Sequence, residues 1–300
     1  MVELAQIGSV KLEPIPTPGL RRIWWQALIL LMLTAWLYTT ILFRLAAQWY
    51  LDPNSSHGFF VPLFSLFVVW RDRSRLDRLS RNPSSWGLLI IAFSLGLLVL
   101  GVLGAELFLS RVSLQILIAG MVVLFFGWNY FRAVLFPWAV LIFMIPIPAI
   151  VFNQITLPLQ MLASKVAAFG LPLFGVPVFR EGNIISLPEM RLEVAEACSG
   201  IRSLVSLVTL AIIYGYLVEE TAWGRIFLVL AAVPIAVLTN TLRIIGTGLL
   251  VQYWDPSKAE GFFHIFSGWL IFLGSMAMLV LLHRSLSWVD RKRRRHDLQL

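Results

Sequence analysis

Residues 86–104 read WGLLIIAFSLGLLVLGVLG, an apolar run without one charged side chain, and this run decides the fold class. A helix of that length rises far enough to cross roughly 30 Å of hydrocarbon. Only a helix or a closed barrel satisfies its own backbone polar groups in such a medium. Apolar runs recur on both sides of it, at 24–43, 58–70, 108–127, 133–152, 198–218, 226–251 and 262–283. The pattern predicts an all-α polytopic membrane protein with about eight transmembrane helices. Segment 58–70 is the shortest of them, and a re-entrant course is its other reading.

Composition agrees: 59% of the residues are hydrophobic, 13% are charged and the mean hydropathy is +0.82, which excludes an ordinary soluble domain. The first run, Trp24 to Phe43, is too long for a secretory leader and no small-x-small cleavage site follows it, so it is expected to stay in the mature chain. No internal repeat argues for a solenoid or an inverted-repeat transporter. The expected layout is a cytoplasmic segment 1–23, one transmembrane domain 24–283 and a basic cytoplasmic tail 284–300.

Charge gives orientation. Of the 24 Lys and Arg, 16 fall in one set of alternate connections, including Arg71, Arg73, Arg75, Arg78, Arg81 and the run 291–295. Cations accumulate in loops that stay in the cytoplasm, so both termini are expected there. The same partition accounts for the net charge of +8 and makes anionic lipid headgroups, not nucleic acid, the expected partner of these arginines. The longest connection, 153–197, then falls on the extracytoplasmic side. Its first part, 153–173, has helix-like spacing and suits the interface or a dip into the membrane. Its second part holds Pro177, Gly182 and Pro188, then the alternation Met190, Arg191, Leu192, Glu193, Val194, which predicts a short β-hairpin just before the sixth span.

That hairpin delivers the chain to Cys198, the only cysteine, in Glu196-Ala197-Cys198-Ser199-Gly200-Ile201-Arg202-Ser203. A thiol at the opening of a long helix lies near unpaired backbone N–H groups and the positive helix end, both of which favour thiolate. Alone it also reads as a small hydrophobe. Arg202, four residues on, can lower the thiol pKa or hold an anionic substrate group, or it can simply snorkel to the interface. Arg243 stands about eight residues inside the outer end of the seventh span, where an arginine is costly and usually faces a protein interior or a cavity. Asn240, at i−3, is in position to hydrogen-bond it. His264 opens the eighth span. A thiol, a cation and a proton carrier from three successive spans, all expected toward one face, are the parts of an acyl-transfer site: nucleophile, oxyanion stabiliser and general acid or base.

At Ala197-Cys198-Ser199-Gly200-Ile201-Arg202-Ser203, Asn240-Thr241-Leu242-Arg243, His264-Ile265-Phe266-Ser267-Gly268 and His57-Gly58-Phe59-Phe60-Val61-Pro62 the chain resembles the exosortase and archaeosortase family. The resemblance implies a catalytic triad of Cys198, Arg243 and His264. The histidine points to the bacterial branch, in a form without a fused C-terminal soluble domain. It implies a cysteine peptidase or transpeptidase acting on secreted proteins that end in a Pro-Glu-Pro-like motif, one transmembrane helix and a basic cluster. Arg202, with Arg180 as its rival, is the candidate for the motif's glutamate. His57 and Glu196 join Asn240 as supporting residues, His57 with a capping or interfacial role as its other reading. No cofactor or metal is expected, since the four histidines and one cysteine show no zinc-like spacing. A polytopic transporter that uses Arg243 as counter-ion, or an export scaffold for envelope or exopolysaccharide components, is the alternative class.

Overall fold

In this computed structural model the described residues are 20–52, 54–194, 200–254 and 262–297. They are overwhelmingly helical, and the all-α polytopic expectation holds. By contact the chain divides into residues 1–46 and 47–300. Helix α1 (Leu20–Leu37) and helix α2 (Thr39–Leu51) cover the predicted first span as a pair bent by 67°, not as one straight helix.

Within 47–300, a 3-10 turn at Ser56–Phe59 leads into α3 (Phe60–Arg71) and the single turn α4 (Arg73–Leu76). Helices α5 (Trp86–Leu103) and α6 (Leu107–Phe126) form a tightly packed hairpin. Glu106 caps α6 by accepting from the Leu109 N–H at 3.0 Å, which satisfies one of the orphan donors at the helix start. Buried Ser94 Oγ donates to the Ser113 carbonyl at 2.7 Å and ties the pair together.

The predicted span 133–152 is not one helix. It is broken into α7 (Trp128–Ala133), α8 (Leu135–Val140), a 3-10 turn at Leu141–Met144 and the start of α9 (Ala149–Gly170). Pro146 and Pro148 account for the last of these breaks: each disfavours helical dihedrals in the residue before it, and α9 starts only after Pro148. The short pieces are held by side chains instead. Gln115 Nε2 donates to the Trp138 carbonyl at 2.9 Å and Trp138 Nε1 to the Gln115 carbonyl at 2.8 Å. Ser65 Oγ donates to the Pro137 carbonyl at 2.8 Å.

After α9 comes a three-stranded antiparallel sheet, β1 (Phe179–Glu181), β2 (Ile184–Ser186) and β3 (Arg191–Glu193), one strand more than the predicted hairpin. Glu181 pairs with Ile184 across a two-residue turn whose first residue, Gly182, has φ +63°, the glycine-first turn that matches strand twist. The alternation read from the sequence is realised: Leu192 and Val194 are buried while Arg191 and Glu193 face out. Helices α10 (Gly200–Val218), α11 (Ala222–Tyr253) and α12 (Phe262–Asp297) complete the chain.

Among the described residues five helices are long and apolar enough to cross a membrane, six if the bent pair is one span, with three shorter apolar helices besides. The α9 segment is among the long ones. Among the cores of this part, two involve α11. Leu207 and Ala211 of α10, Leu228, Ala232 and Ile235 of α11 and Leu279 of α12 form one, so the last three helices pack mutually. Ala163, Ala167 and Leu171, from α9 and the turn after it, join Ile185 and Leu192 of the sheet with Ile244 and Val251 of α11 in the other.

The second core sets the level of the site. Helix α11 has 32 residues, about 48 Å at the usual helical rise, well beyond the hydrocarbon thickness. A sheet edged with Arg180, Glu181, Arg191 and Glu193 cannot lie in lipid. Ile244, the chain neighbour of Arg243, belongs to the same core as Ile185 and Leu192 of that sheet.

Candidate active site

The three helices proposed to carry Cys198, Arg243 and His264 meet at the sheet-bearing end of the bundle. Gly215 of α10 lies against the Arg225 backbone of α11, and Leu204 shares a cavity wall with Ala236. Stepping along this antiparallel pair brings Gly200, the first residue of α10, level with Asn240. On the other flank of α11, Ser275 Oγ donates to Thr239 Oγ1 at 2.8 Å, both side chains buried, and Thr239 in turn donates to the Ile235 carbonyl at 2.8 Å. This buried tie fixes α11 against α12 one turn below Arg243.

Arg243 itself is half-buried, with its Nε shielded from solvent. Its guanidinium lies along the open side of Gly268 in α12: a Cβ at that glycine would stand 3.7 Å from Nη2, 3.9 Å from Cζ and 4.0 Å from Nη1. Gly268 is four residues past His264, one turn or about 6 Å along the same helix. The backbone therefore brings the guanidinium to the face of α12 on which His264 occurs. The side chains of His264 and Arg202 lie outside the described set, as do Cys198 and Glu196 altogether.

The other sequence candidates fall in different places. Asn240, 5% exposed, does not hydrogen-bond Arg243; it lines a small cavity shared with α9 and α10. Arg180 Nη1 donates to the Gly182 carbonyl at 2.6 Å, so its guanidinium is engaged within its own hairpin. His57 Nε2 donates to the Phe143 carbonyl at 3.1 Å. A carbonyl can only accept, so this bond places a proton on Nε2. Trp49 lies directly over Gly58, where any side chain would collide with the indole, and its Nε1 donates to the Met144 carbonyl at 2.8 Å. The His57-Gly58 block thus clamps the broken stretch 141–145 beside α3.

Two features were not legible as site elements. Arg111 is buried inside α6 at 3% exposure, near the charge of Glu106. Thr156 and Gln160 of α9 face the cavity that Asn240 lines. Polar residues at 156, 160 and 164 on one helix face were the available signal. Among the described residues no cluster of His, Cys, Asp or Glu could hold a metal ion.

A family model for transmembrane exosortases matches residues 49–281. The chain belongs to the transmembrane exosortase family. The match takes in all four sequence blocks that carry the resemblance, from His57 to Gly268, and every helix from α3 to α11. No curated protein and no solved structure matches. An exosortase-type function in a multi-pass membrane protein follows from the family and the apolar helices together.

Proposed function

We propose that this exosortase is a cysteine peptidase or transpeptidase that cleaves a C-terminal sorting tail from secreted proteins at the extracytoplasmic face of the bacterial inner membrane. The observation that carries the reading is the Arg243 guanidinium resting on Gly268, one turn from His264, at the end of the bundle where α10 begins. In the proposed reaction the Cys198 thiolate attacks the scissile carbonyl carbon, forming the C–S bond and an oxyanion. Arg243 stabilises that oxyanion with its forked donors. Collapse breaks the C–N bond as His264 passes a proton to the leaving amine, and a thioester remains. Water or an acceptor amine then attacks the thioester, with His264 taking up the proton and the thiolate restored.

The tail suits such a protein: its apolar helix docks laterally in the bilayer, its basic end stays in the cytoplasm, and its Pro-Glu-Pro-like motif emerges on the side of the sheet. Arg202 is the proposed partner of the motif's glutamate, and both termini of the enzyme are cytoplasmic. The test is the intact mass of a tailed substrate co-expressed with the wild-type protein or with Cys198→Ala. The wild type should yield the shortened or transferred product and the variant should leave the tail uncut while inserting normally in the membrane. Normal processing by Cys198→Ala refutes the thiol mechanism; with processing lost only on replacing Arg243, the counter-ion of a transporter becomes the better account.

A further inference from the structure

Strand β3 ends at Glu193, five residues before Cys198 in the sequence. The order β1-β2-β3 makes β1 and β3 the two edges of the sheet. The β1–β2 hairpin packs beside α9, where Ser164 Oγ donates to the Gly182 carbonyl at 3.0 Å. Strand β3 has β2 on one side, and the hydrogen-bond pattern fixes what it offers on the other. Leu187 N–H donates to the Met190 carbonyl at 2.8 Å and Val194 N–H to the Asn183 carbonyl at 3.0 Å, with Ile185 opposite Leu192 between them. Hydrogen-bonded positions alternate along an antiparallel pair, so Met190, Leu192 and Val194 turn their backbone groups to β2. Arg191 and Glu193 turn theirs outward. No hydrogen bond to a described residue engages those outward N–H and C=O groups. A strand edge of this kind is a template for another extended chain.

We propose that β3 is the docking edge for the substrate: the sorting motif adds to it as a fourth, parallel strand, with the motif's glutamate bonded between Arg191 and Glu193. The inference rests on the reading of the protein as a sorting-tail peptidase. Direction follows from chain order. Strand β3 is followed by Cys198 and then by the apolar helix α10, and a sorting tail likewise runs from its motif into its membrane helix, so the two chains run parallel. In a parallel ladder one residue bonds to two alternate residues of its neighbour. The glutamate N–H donates to the Arg191 carbonyl, and the glutamate carbonyl accepts from the Glu193 N–H. The next peptide groups that face β3 lie two residues away on either side. The intervening positions face outward, where no N–H is needed, so proline at both forfeits no bond and bars a further strand. The glutamate stands level with Leu192, whose side chain is buried in the core that holds Ile244 of α11. Its carboxylate therefore points to the bundle side of the sheet, where Arg202 is proposed to receive it.

The test uses the full chain as Cys198→Ala in nanodiscs, so that binding of a fluorescent sorting-tail peptide is read without reaction. An ester oxygen in place of the motif's glutamate N–H removes one donor, and half-saturation should rise about tenfold. The same ester one position later, in a peptide with alanine there instead of proline, should change nothing, because that N–H faces away from β3. Glu193→Pro deletes the matching donor on the enzyme and spares the Leu192–Ile185 pair, so half-saturation should again rise about tenfold with the melting temperature unchanged. Should that variant misfold, the two esters decide the question on the unaltered edge. Unchanged half-saturation with the glutamate ester, or equal losses from both esters, would overturn the proposal. A tail that binds with this signature yet is never cut by the wild-type protein would instead refute the proposed reaction and leave the docking edge standing.

Discussion

Replacing Gly268 probes the position of Arg243 without touching any proposed reacting group. An alanine Cβ would stand 3.7 Å from Nη2 and 3.9 Å from Cζ, ordinary van der Waals separations, so Gly268→Ala requires no movement. It should also favour the helix by about 0.8–1 kcal/mol, since glycine is a poor interior helix residue. Gly268→Leu is different. Its Cγ and Cδ atoms extend the side chain by about 1.5 Å per bond into the space the guanidinium occupies. The arginine must then retreat by an ångström or more, and misplacement on the order of 1 Å costs about 100-fold in rate. The assay is single-turnover acylation of Cys198 with a sorting-tail peptide in nanodiscs, with thermal unfolding measured in parallel. The alanine form should acylate like wild type and melt slightly higher. The leucine form should melt near wild type and acylate about two orders of magnitude more slowly. Near-wild-type acylation in the leucine form would show that the guanidinium does no work at this place. Equal losses in both variants would show that the effect is not steric.

Arg243→Lys keeps the charge and discards the planar fork, so acylation should fall on the order of 100-fold, and retention of most activity would reduce the arginine to a diffuse positive potential. Impermeant thiol reagents should label Cys198 from the extracytoplasmic side, and a reporter fused after Arg81 should read cytoplasmic; labelling from the cytoplasm alone would reverse the proposed orientation. A pH effect is expected at the turn between α10 and α11. Glu219 accepts from Thr221 Oγ1 at 2.7 Å, from the Thr221 N–H at 3.2 Å and from His283 Nε2 at 3.2 Å. Thr221, with a smaller contribution from His283, holds the carboxyl below its usual range. A depressed carboxylate stabilises the fold above its unfolded pKa of about 4.3 and loses that contribution as pH falls through the folded value. Melting temperature against pH should therefore drop more steeply below about pH 4.3 in wild type than in Glu219→Gln, and parallel curves would refute the linkage.

The sequence determined the medium by itself. Hydropathy at the run 86–104 and its repeats is a property of composition and length, and it fixed a helical membrane protein before any contact was known. The alternation at 190–194 was local too, and Leu192 and Val194 are buried as it requires. The motif blocks from His57 to Gly268 carried the family, since identity and order along the chain need no coordinates. Tertiary structure decided what depends on neighbours distant in sequence. Trp49 on Gly58 turned the His57 block into a clamp for stretch 141–145, a contact between segments some 95 residues apart. Asn240 turned from Arg243 to a void whose other walls belong to α9 and α10. Ile244, next to Arg243, joins the core beneath the sheet, a contact that no local pattern around Arg243 announces. Hydropathy assigns each residue a solvent, whereas the direction in which a side chain points, and the group it meets there, are fixed by how helices rotate and cross once they pack.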